Sequence, residues 1–109
     1  MDKAILRTML FDFYGDLLTD KQREYYDLHF NSDLSLQEIA ESIGISRQAV
    51  WDIIRRAEQS LMEIEDKTGL VARAVRRRRA LEELSEVVSR LPESGDKAEM
   101  LRIMAELND

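Results

Sequence analysis

A chain of 109 residues has the length of one small domain with a modest core, and 44% hydrophobic against 35% charged residues excludes disorder throughout. The absence of cysteine excludes disulfides and thiolate metal sites and agrees with a reducing cytoplasm. A formal charge of -6 makes attraction to phosphate over the whole surface poor, so a nucleic-acid face would have to be local: five arginines crowd into 73–79, while 82–109 hold eight acids against three bases.

The opening stretch mixes acids and bases into its apolar pattern and reads as neither a secretory signal nor a membrane span; the expectation is a cytoplasmic protein with no membrane insertion. Residues 3–18 read as a first helix whose apolar face is Ile5, Met9, Leu10, Phe13, Leu17 and Leu18, broadened by Phe11 and Tyr14. Thr19 is placed to cap a second helix, with Gln22 at the third position after it. Asn31, Ser32 and Asp33 then break the pattern. His29, the single histidine, has no cysteine or paired carboxylates at ligand spacing around it and is expected to be partly buried or on the surface, not a metal ligand.

The most informative stretch follows. Ser35 caps a third helix over 36–42, with Glu38 completing the capping box and Ile39, Ala40 and Ile43 forming one face. Gly44 permits a tight reversal, and Ser46 caps a fourth helix whose inward side is expected to be Ala49, Val50 and Ile53. This is the residue logic of a helix-turn-helix. Arg47, Gln48, Trp51, Asp52 and Arg55 are the candidate outward side. Arginine and glutamine make bidentate bonds to base edges in the major groove, so Arg47 and Gln48 are the candidate readers, with Ser46, Arg55 and Arg56 nearer phosphate. Simple hydration of Arg47 and Gln48 is the competing reading. Asp52 fits either cytosine or a neighbouring arginine. Trp51 suits stacking on the nucleic-acid backbone, or packing against the first helix or another subunit.

Helix is expected to continue through Ala57, Leu61 and Ile64, with a bend or end at Gly69. Leu70, Ala74, Arg77, Leu81, Leu84, Val88 and Leu91 then follow a four-three repeat, the spacing of a coiled coil or helix hairpin, interrupted by an arginine. Arg73, Arg76, Arg77, Arg78 and Arg79 read three ways: a hydrated face, a phosphate or RNA patch, or an anchor for acidic side chains within the chain or across a dimer. After a boundary at Pro92 to Gly95, residues 97–107 read as a terminal helix with Met100, Ile103, Met104 and Leu107 on its apolar side. The expected fold class is therefore all-α: a helix-turn-helix domain over 1–64 and a helical extension over 65–109 that serves packing or dimerisation. No glycine-rich phosphate loop or nucleophile-base-orienter trio is present, so neither catalysis nor a cofactor is indicated.

Phe13, Tyr14, Leu17, Leu18, Thr19, Lys21, Gln22 and Arg23, the run from Ser35 to Ala40 and the run from Ser46 to Val50 together resemble the YlxM-like family of small bacterial helix-turn-helix proteins, whose central region is similar to the fourth region of sigma factors. The resemblance covers about 6–61 and is more specific than a generic helix-turn-helix pattern. It implies a dimeric cytoplasmic protein that acts in or regulates the signal recognition particle pathway, through DNA or through contact with that particle's GTPase or RNA. Against the family pattern, Trp51 stands where tyrosine is common, and 71–79 is unusually rich in arginine.

Overall fold

Helix starts in this chain are set by short polar side chains that take up the backbone N–H groups a first turn leaves over. In a computed structural model, which describes residues 1–108, Asp2, Thr19, Ser35, Ser46 and Ser94 each accept such a bond, at 2.7 to 3.2 Å. They open α1 (Lys3–Tyr14), α2 (Asp20–Phe30), α3 (Leu36–Ile43), α4 (Arg47–Thr68) and α6 (Gly95–Leu107). Gln22 and Glu38 reach back to the cap N–H groups at 3.1 Å, closing both expected capping boxes. The start of α5 (Leu70–Ser89) is capped from a neighbouring helix: the Val71 N–H donates to Glu65 Oε1 at 3.0 Å. The described residues contain no strand, and no helix among them is long and apolar enough to cross a membrane. The fold is all-α with a helix-turn-helix, as the sequence leads one to expect.

The chain divides into two compact units, Met1–Val71 and Ala72–Asp109. In the first, α4 is the central strut, packed against α1, α2 and α3. Its fully buried strip is Val50, Ile54, Ala57 and Leu61, at the four-three spacing one helix face requires. This corrects the expected inward side: Val50 belongs to it, but Ala49 and Ile53 are only half-buried and Ile54 takes the central place. The expected Leu36–Ser42 helix runs one residue further, to Ile43.

The first helix is also shorter than its apolar pattern implies. It ends at Tyr14, and the chain tightens into a 3-10 turn over Gly15–Leu17. Leu10, Tyr14 and Leu18 are buried, whereas Ile5, Phe13 and Leu17 are exposed, Leu17 by 70%. The reason is polar. Tyr14 donates its phenol proton to Glu65 at 2.6 Å, and Thr68 Oγ1 lies 2.6 Å from the same oxygen, so Tyr14 turns inward and carries the other side of the helix into solvent. Arg7 adds an ion pair to Glu58 at 3.0 Å and lies over the Phe30 ring.

Tyr26 sits at the centre of this unit, stacked on Phe11 with its hydroxyl donating to the Arg7 carbonyl at 3.3 Å. Burial, helped by the Glu58 carboxylate and opposed by Arg7, pushes its phenol up to about 12 from an ordinary 10. The protonated form is the one the fold favours. Its stabilisation is complete below pH 10 and is lost as pH rises from 10 through 12. Tyr26→Phe should therefore flatten this part of the alkaline decline in urea stability; an unchanged slope above pH 10 would contradict the assignment.

Gly44 ends α3 in the left-handed region at φ 84°, its N–H and that of Ile45 both donating to the Ala40 carbonyl. A Cβ there would meet nothing within 4 Å, so substitution tests the backbone alone. Gly44→Ala should cost about 1–2 kcal/mol in urea denaturation, the strain of an L side chain in that region; an unchanged midpoint would show that the turn relaxes.

The second unit holds the rest of α5 and α6. Val88 and Met104 are buried, and Lys97, only 7% exposed, sends its Nζ to the carbonyls of Ser89 and Leu91 and to Glu93, closing the C-terminal end of α5 with a positive charge. Of the expected four-three seam, Val88 is buried, Ala74 and Leu81 are half-buried, and Leu70, Arg77, Leu84 and Leu91 are exposed. The terminal helix begins at Gly95, two residues before the expected start.

Candidate nucleic-acid interface

Ser46 spends its side chain on the cap: its Oγ accepts from the Ala49 N–H at 3.1 Å while its carbonyl accepts from Val50. The N–H groups of Arg47 and Gln48 belong to the first turn, where no preceding carbonyl is available to them. With Val50 and Ile54 fixed inward, the helix repeat puts Gln48, Asp52 and Arg55 on the opposite side and Trp51 on the flank. Arg47, Gln48, Arg55 and Arg56 are exposed, Asp52 is half-buried, and Trp51 is 38% exposed. Six of the seven candidate positions therefore fall on the first three turns of α4, and the seventh, Ser46, caps it.

Two features sharpen the surface. Gln48 donates from Nε2 to Asp52 Oδ1 at 3.1 Å, one turn along the helix, which fixes the amide plane. The amide keeps a second N–H and the carbonyl oxygen, the pair needed for a bidentate bond to adenine. Asp52 thus orients a neighbour, and glutamine rather than arginine is its partner. Leu36, at the start of α3, joins Arg47, Gln48 and Trp51 around a shallow depression. Sequence reading did not single out Leu36. Its only signal was its place directly after the Ser35 cap.

No acid pairs with Arg47, Arg55 or Arg56 among the described residues. The face carries local positive charge on an acidic protein. Arg73, Arg76, Arg77, Arg78 and Arg79 are exposed along α5 and belong to the second unit, whereas Arg47 is on α4 in the first. His29 is engaged structurally: Nδ1 lies 2.8 Å from the Leu34 carbonyl and the ring meets Phe30 edge-on, closing the loop between α2 and α3.

Comparison with known proteins adds to this geometry. Residues 1–101 match the model of the UPF0122 family, described as helix-turn-helix protein, YlxM / p13 like. A UPF0122 protein of Geobacillus kaustophilus is 43% identical over 109 residues, all of this chain and 97% of the relative. One from Thermoanaerobacter sp. (strain X514) is 42% identical over 106 residues, covering 97% of this chain and 91% of the relative, and one from Halalkalibacterium halodurans is 47% identical over 90 residues, 83% of each.

Proposed function

This chain belongs to the UPF0122 family of YlxM / p13-like helix-turn-helix proteins, and from that membership we propose that it is a nucleic-acid-binding regulator acting in the signal recognition particle pathway, reading its target with the first turns of α4. The supporting observation is the coincidence, within eleven residues, of a capped helix start and an exposed Arg47 beside a Gln48 held in plane by Asp52. Arg47 and Gln48 act as base readers, Ser46, Arg55 and Arg56 approach phosphate, and Trp51 lies along the sugar edge beside Leu36. The protein works as a homodimer. Its 1–64 region presents the reading helix and its 65–109 extension serves packing between subunits, so that two α4 helices meet successive turns of a duplex.

The test is binding to a defined duplex and to signal recognition particle RNA at two salt concentrations. Affinity that falls as salt rises supports phosphate-aligned binding, and the polymer with the larger difference between related sequences is the target. Absence of binding to both would refute the reading.

A second reading has its own support. Ile5 and Phe13 on α1 and Leu17 in the turn after it are large apolar side chains left exposed, which supports a protein contact. In this reading the chain binds the signal recognition particle GTPase directly. Recovery of that GTPase from nuclease-treated lysate, lost on Phe13→Asp, favours it; recovery that requires intact nucleic acid returns the assignment to α4.

A further inference from the structure

The charges of α5 are arranged against its own dipole. Its N-terminal half carries five arginines and no acid, and its C-terminal half carries Glu82, Glu83 and Glu86 and no base, whereas an isolated helix prefers acids at its start and bases at its end. The arrangement is ordered about the middle of Leu70–Ser89, between Arg79 and Ala80. Arg73 stands as far before that point as Glu86 stands after it; Arg76 matches Glu83 and Arg77 matches Glu82 in the same way. Among the apolar residues, Ala72 matches Val87 in the same way, and both are exposed.

Of the matched charges, Arg76 and Glu83 also share one helix face, so the strip that carries them is complementary to itself run in the opposite direction. We propose that α5 pairs antiparallel with α5 of a second copy of this chain, crossing near Ala80. The arginine half of each helix then lies beside the glutamate half of the other. This deepens the homodimer reading above and rests on it.

The geometry on one chain suits such a partner. Arg76, Ala80, Glu83 and Val87 follow a four-three-four spacing and so form one strip, and all four are exposed. Ala80 lets two backbones approach at the crossing. Arg76 and Glu83 are two turns apart on the same flank, so a two-fold axis through the crossing gives two equivalent contacts, Arg76 to Glu83 of the partner subunit and the reverse. None of the five α5 arginines has an acid partner among the described residues. The apolar residues point the same way. Leu84, Val87 and Leu91 on α5 and Ile103 and Leu107 on α6 are exposed with the whole chain present, while the described part of this unit buries Val88, Met104 and the stem of Lys97. A hairpin with so small a core, and no cysteine to cross-link it, needs association to hold its shape.

Sedimentation equilibrium of the full chain tests the pairing with two variants, R73E/R76E/R77E and E82R/E83R/E86R, with circular dichroism confirming helicity. The first makes α5 acidic in both halves and the second makes it basic in both. Each alone should dimerise at least about 100-fold more weakly than the parent, from like charges placed opposite one another, and a one-to-one mixture should restore a heterodimer. A parent chain that stays monomeric would overturn the homodimer reading itself. A dimeric parent whose variants associate unchanged, or whose mixture restores nothing, would overturn the α5 pairing and leave the dimer to another surface. Loss of RNA binding in the arginine variant with dimerisation intact would likewise overturn it, assigning the arginines to phosphate.

Discussion

Replacing Ile54 with alanine should lower the unfolding free energy by about 2–5 kcal/mol, the range for truncating a fully buried aliphatic side chain. Ile54 is fully buried on the helix that α1, α2 and α3 all pack against. Its loss combines the transfer term of the removed methylenes with a cavity that three neighbouring helices cannot all collapse into at once. For a small domain whose total stability is about 5–15 kcal/mol, that is a large fraction. Urea denaturation should show a lower midpoint with an unchanged slope. Ile53→Ala is the control, because Ile53 is half-buried and should cost visibly less. If Ile53→Ala were the more damaging of the two, the rotation of α4 about its axis, and with it the outward direction of Gln48 and Asp52, would be wrong.

The second large effect falls on binding. Each good bidentate contact to a base is worth about 1–3 kcal/mol of discrimination, so Arg47→Ala/Gln48→Ala should reduce preference for the target over unrelated sequence by about 30-fold or more while leaving helicity and the urea midpoint in place. Asp52→Ala should have a smaller effect in the same direction, since it frees the Gln48 amide without removing it. Arg55→Ala and Arg56→Ala should behave differently. As phosphate contacts they should weaken binding about equally for all sequences and reduce the salt slope by about one each. Discrimination retained in the double variant would reject α4 as the reader.

Interactions within one turn were legible in the sequence. The Thr19–Gln22 and Ser35–Glu38 boxes, the Ser46 cap and the left-handed Gly44 each depend on residues no more than four apart, and each stands where the pattern places it. Phase was harder. Ile53 and Ile54 are adjacent, equally apolar and 100° apart on the helix, and a short window gives no reason to prefer one; the choice is made by Ala57 and Leu61 further along. The face of α1 follows its apolar pattern only at Leu10 and Leu18, because Tyr14 turns inward for Glu65 and Thr68, more than fifty residues away, a polar attraction that apolar counting ignores. The α5 seam closed only in part within the chain, burying Val88 and half-burying Ala74 and Leu81, because a four-three repeat alone does not say which of its members meet a partner helix. At the candidate interface, the exposure of Gln48 followed from spacing, whereas Arg47 stands three residues before buried Val50 and is exposed because it opens the helix. The Gln48–Asp52 bond was available at four-residue spacing, but Asp52 invited an arginine partner instead.

Trp51 is the single tryptophan of the chain and sits on the flank of the proposed reading helix beside Arg47 and Gln48. Its fluorescence therefore reports directly on the central claim. Titrating the protein with duplex DNA or signal recognition particle RNA should shift or quench Trp51 emission saturably, with a midpoint equal to that from labelled nucleic acid, and Arg47→Ala/Gln48→Ala should weaken both together. Tight binding of labelled nucleic acid with no change in Trp51 emission would place the contact elsewhere and contradict the account.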